Sequence, residues 1–121
     1  MFTLEIEDKV VEFKFGIKFV MEMNKLYQME RSGQTFGYGI ERAYTMINEM
    51  RDPEALVEVL YIANKVGKGP KLTKEKFIDA LDDADLEEVF KGVVASLKES
   101  SAVAPKIKAL EKNIQQETTE N

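Results

Sequence analysis

Cysteine, histidine and tryptophan are absent from the 121 residues, and the first two absences remove whole classes of chemistry. Without thiols or imidazoles there is no disulfide framework, thiolate zinc site, cysteine nucleophile, histidine base or haem-type ligand. An enzyme made from this chain would have to work with carboxylates, lysine, tyrosine or serine alone. Composition therefore favours a binding protein over a catalyst, and no cofactor or metal is expected. No apolar run approaches the length of a membrane span, and no cleavable signal precedes the first charges. Positive charge is in deficit as well. With 17 Lys and Arg against 22 Asp and Glu, the net charge is −5, which disfavours nonspecific attraction to nucleic acid or anionic lipid. The expectation is a protein kept in a reducing cytoplasm, with neither nucleic acid nor membrane as partner.

What is present is an ordinary globular composition, 44% hydrophobic and 32% charged. A chain of this length can bury about two-thirds of its extended surface, enough for one core. At the N-terminus Phe2, Leu4 and Ile6 alternate with polar residues. After a charged turn at Asp8-Lys9, Val11, Phe13 and Phe15 alternate with Glu12 and Lys14. Period-two patterning on both sides of a short polar loop predicts a β-hairpin with one buried face, which needs a helix to cover it. Beyond Gly16 the spacing becomes helical. Phe19, Val20, Met23, Leu26 and Tyr27 form a wide apolar face on a helix expected over Ile17 to about Met29. Ser32-Gly33-Gln34 reads as a loop, Gly37 and Gly39 as loose chain, and Ile40 to Met50 as a second helix. Asp52-Pro53-Glu54 is a helix start, with a capping acceptor, a proline in the first turn and an acid near the positive dipole end. Thr73 and Asp85 are the caps expected for two further helices, and Pro105 opens a last one. The fold class is α+β: an N-terminal β-hairpin packed on a mainly helical domain of five to six helices. One domain is expected over 1–115, with the hairpin in 2–15, helices from 17 onward and a linker at 67–72. A disordered tail is expected at 116–121.

Several constellations invite a chemical reading and fail it. The acidic stretch from Asp79 to Glu88 has oxygen ligands, but counted from Asp83 the calcium-loop glycine position holds Glu88 and the closing glutamate position holds Val94. Lys65, Lys68, Lys71, Lys74 and Lys76 cluster around the linker without interleaved aromatics. Gly37-Tyr38-Gly39 begins like a dinucleotide fingerprint, but the third glycine position is Arg42 and no strand is expected before it. Two features point to partner binding instead. Five of the six methionines lie between Met21 and Met50, and flexible thioethers suit irregular cores and adaptable surfaces alike. Val103, Ile107, Leu110 and Ile114 form a seam of about two heptads, too short to be stable alone, which either docks on its own domain or takes a partner helix. The candidate partner-binding residues are Ile107, Leu110, Ile114, Met21, Met46 and Met50, and self-association of copies stays open.

The hairpin and the following stretch EFKFGIKFVMEMNKLY resemble the tail assembly chaperones of long-tailed phages of Gram-positive bacteria. The likeness continues in looser form through QTFGYGIERAY, the DPEALVEVLYIA helix, the linker, the acidic turn and the Lys/Glu-rich last helix. It spans most of 1–115. The resemblance implies a non-catalytic protein that escorts the tape measure protein in the host cytoplasm before tail tube subunits polymerise around it, and that is absent from the mature virion. It also implies a longer product made by ribosomal frameshifting, through which the tail tube protein is recruited. The alternative from another class is a small acidic adaptor that binds one folded partner.

Overall fold

The N-terminal alternation is realised as a hairpin of β1 (Thr3–Ile6) and β2 (Lys9–Glu12) in the computed structural model. The structure describes residues 2–119, and the side chains of residues up to 113. Ile6 pairs with Lys9, so the turn is Glu7-Asp8, one residue earlier than the patterning suggested. Both turn residues have positive φ, 53° and 64°, the geometry whose twist matches that of paired strands. Ile6, Val11, Phe13 and Phe15 are buried, with Leu4 packed against them, while Val10 on the opposite face is exposed. The backbone then holds on to the helices. The Lys14 amide donates to the Ala63 carbonyl over 3.0 Å, and the Ser100 hydroxyl donates to the Phe15 carbonyl.

Helix α1 spans Ile17–Leu26, shorter than the expected run to Met29. The chain leaves the helix at Tyr27 and enters a second antiparallel hairpin, β3 (Gln28–Arg31) and β4 (Gln34–Gly37). Its turn is Ser32-Gly33, with φ of 53° and 77°. Gly37 and Gly39 are not loose chain. A Cβ at Gly37 would collide with the Asn24 side chain, and one at Gly39 with the Met23 carbonyl, so both are points where backbone must approach α1 closely. Tyr38 between them donates its amide to the Tyr27 carbonyl over 2.9 Å.

The second expected helix is split into α2 (Gly39–Tyr44) and a π-helical segment, Thr45–Glu49. Its end is closed by Arg51, itself at a φ of 49°. Nη1 of Arg51 donates to the carbonyls of Ile47 and Asn48 at 3.1 and 2.9 Å, and the guanidinium reaches Glu87 at 2.9 Å. Then come α3 (Pro53–Val66), α4 (Lys74–Asp82), α5 (Leu86–Glu99) and α6 (Ala104–Thr119). The anticipated caps are in place. Asp52 accepts from the Glu54 amide, Thr73 from that of Lys76 and Asp85 from that of Glu88.

One hydrophobic cluster takes in side chains from β1, β2 and all six helices. Phe13, Phe15, Phe19 and Met23 are buried together, as the patterning predicted, and the Phe15 and Phe19 rings meet edge to face at 5.2 Å. The connection between α3 and α4 is tied by the buried Asn64. Nδ2 donates to the Glu12 and Pro70 carbonyls at 3.2 and 2.9 Å, and Oδ1 accepts from the Leu72 amide at 3.0 Å. Three backbone groups from β2 and the loop are thus satisfied by one side chain. Of the disordered tail expected at 116–121, residues 116–119 continue the backbone of α6, and residues 120–121 lie outside the described residues.

Candidate partner-binding surfaces

The six residues singled out for partner binding do not converge on one surface. Ile107 is 3% exposed and belongs to the protein's own core, as does Val103 before it. Leu110 is partly buried against that core. The described part of the seam therefore docks on its own domain, and Ile107 offers nothing to a partner. The Ile114 side chain lies outside the described residues. The docking is fastened by polar contacts. The Tyr44 hydroxyl donates to Glu111 over 2.7 Å, and Lys106 lies 3.4 Å from Glu41. Burial first, and then the Glu111 carboxylate, push the Tyr44 phenol up to about 12.

The methionines divide. Met23 is in the core and Met46 is packed partly against it, whereas Met21 and Met50 are 55% and 64% exposed. Met21 is joined on the outer face of α1 by Ile17, four residues earlier and also exposed. A further exposed pair was not signalled by helical spacing. Met29 and Phe36 sit directly opposite each other on β3 and β4, each 47% exposed. The dipeptide Ser32-Gly33 between two four-residue runs was the available clue. Those runs are mostly polar, so no alternation marked them as strands.

Three of the five clustered lysines are engaged within the molecule. Nζ of Lys71 donates to the Asn64 and Gly67 carbonyls at the end of α3, a favourable place for a cation. Lys76 pairs with Glu7 at 3.1 Å, and Lys74 lies 5.3 Å above the Tyr61 ring. At the other end of α1, the Tyr27 hydroxyl donates to both Glu58 oxygens at 2.8 and 2.9 Å, and Arg42 stacks 4.2 Å over the same ring. Burial, and next the Glu58 hydrogen bond, raise the Tyr27 phenol above its ordinary value. A raised phenol is a poorer source of phenolate at neutral pH, and these tyrosine–glutamate pairs fasten one helix to another.

The concavities among the described residues include two that bear on partner binding. The larger, about 510 Å³, lies beside Phe2, Phe13 and Phe15 and is rimmed by both signs of charge, Glu12 and Glu99 with Lys14 and Lys68. The other, about 430 Å³, lies where α3, α4 and the start of α5 meet, over Val57, Ile78, Leu81 and Leu86. Among the described residues, no helix is long and apolar enough to cross a membrane. Residues 3–112, from β1 into α6, match the family described as phage tail assembly chaperone protein. No curated protein and no solved structure matches the chain.

Proposed function

The chain belongs to the phage tail assembly chaperone family, and from that membership we propose that it escorts the tape measure protein in the host cytoplasm. It helps recruit tail tube subunits there, acts without catalysis and is not retained in the virion. The observation that carries this reading is the extent of the family match, 3–112, which takes in both hairpins and most of α6. The surface suits the role. Exposed Met21, Met50, Met29 and Phe36 are adaptable or aromatic side chains of the kind that grip apolar helices of varied sequence. The net charge of −5 keeps such a surface soluble.

The test is co-expression with the tape measure protein of the same genome, affinity capture through a tag on the latter, and native mass measurement. An escort gives many copies of this chain on each tape measure molecule. A single copy per folded partner would mark an adaptor, and no complex at all would remove the escort reading.

A further inference from the structure

The second concavity has chemistry that selects an occupant. Its floor is apolar: Leu81 is buried, Val57 and Leu86 are half-buried, and Ile78 is 41% exposed with nothing packed over it among the described residues. Its rim is acidic, with Glu54, Glu58 and Asp82 against the single cation Lys74. Neither Glu54 nor Asp82 has a cationic partner within salt-bridge distance among the described residues.

Helix α4 also carries most of its end charges against its own dipole, Glu75 in the first turn being the exception. Lys74 and Lys76 stand in its first turn, Asp82 is its last residue, and no basic residue occupies the last turn. Each placement works against the helix end it occupies. Lys76 is compensated by Glu7, whereas Asp82 has no such compensation within the described residues. A local cost without a local return marks a residue kept for something outside the fold.

We infer that this groove docks an amphipathic helix whose apolar stripe is flanked by lysine or arginine. The stripe lies on Ile78 and Leu81 between Val57 and Leu86, and the flanking cations meet Glu54 and Asp82, as in other helix-in-groove complexes. Desolvated apolar contact holds the helix, and the acidic rim selects its charge. That the helix comes from the tape measure protein rests on the function proposed above; the groove and its charge preference do not.

The probe is a fluorescent helical peptide of about five turns, with leucines at i, i+3, i+4 and i+7 spacing and lysine flanks, compared with a twin carrying glutamate flanks. The full chain should bind the lysine-flanked peptide at least about tenfold more tightly, with a preference that shrinks as salt rises. Ile78→Ser and the double variant Glu54→Lys/Asp82→Lys should each weaken it by about tenfold or more. Asp82→Lys alone should weaken binding while leaving the melting temperature of the free protein unchanged or slightly higher, since a cation suits that helix end. Equal binding of the two peptides, or unchanged affinity in these variants, would overturn the inference. So would sedimentation showing a dimer of the chain alone that Ile78→Ser dissolves, because the occupant would then be a second copy. Failure of the chaperone reading looks different. The peptides would still be discriminated, but the unmodified chain would not co-purify with the tape measure protein. If instead the Glu54→Lys/Asp82→Lys chain co-purifies as well as the unmodified one, the chaperone reading stands and the groove is not its site.

Discussion

The two hairpins of this protein are built alike and used differently. Each has four-residue strands joined by a two-residue turn with positive φ at both positions. In the first, Ile6 and Val11 enter the core together with Phe13 and Phe15 just beyond β2, and the backbone that follows is bonded onward to α3 and to Ser100 at the end of α5. In the second, every residue from Gln28 to Phe36 is exposed, and Met29 and Phe36 are only half covered. Turn and register make a hairpin, but large side chains on one face make it part of a core. A hairpin without them remains surface, and its sequence is under a different demand.

The largest effect expected from this contrast is at Phe15. Phe15→Ala should cost about 3–5 kcal/mol in denaturant melts, as for other aromatics removed from a core. A loss below about 1 kcal/mol would erase the distinction between the hairpins. Asn64 comes next, because its side chain satisfies the Glu12 carbonyl of β2 together with Pro70 and Leu72. Asn64→Ala leaves buried backbone groups unpaired and should cost about 2–3 kcal/mol, with β1–β2 amides exchanging faster.

Alkali separates anchored from exposed groups in another way. The Tyr44 phenol, raised from 10.0 to about 12, binds its proton more tightly in the folded state than in the unfolded. Its stabilisation is complete below pH 10 and is lost as pH climbs from 10 through about 12. The loss amounts to about 2–3 kcal/mol, and Tyr44→Phe should flatten that part of the stability profile. The smallest effect should be at Phe36. Phe36→Ser on the exposed second hairpin should change stability by no more than about 1 kcal/mol. A larger loss would mean that β3–β4 is a structural part after all.

Much of this was legible in the residues, and the remainder was hidden for definite reasons. Period-two spacing of large apolar side chains revealed β1–β2, and Asp52, Thr73 and Asp85 announced their helices because capping is local chemistry. The second hairpin was obscured by polar strands, and the early end of α1 by Tyr27, which continues its apolar pattern past the place where the backbone turns. Gly37 and Gly39 looked flexible because close approach to α1 is a tertiary fact. Asn64 and Arg51 act on backbone well separated from them or at unusual geometry, which no spacing rule encodes. The proposed binding surface was least legible. The C-terminal seam was a real amphipathic pattern, but Ile107 answers to the core. The groove over Ile78 is assembled from three helices, and each contributes only one or two apolar residues to it.

Hydrogen exchange on the free chain and on the chain co-expressed with the tape measure protein tests the central proposal most directly: a fixed core, with β1–β2 in it, presents a separate helix-binding groove. In the free chain β1–β2 should already exchange slowly and β3–β4 quickly. On complex formation the amides of α4, the start of α3 and the start of α5 should slow, while β1–β2 stays unchanged. Protection gained chiefly in β1–β2, or none gained around Ile78, would contradict the account.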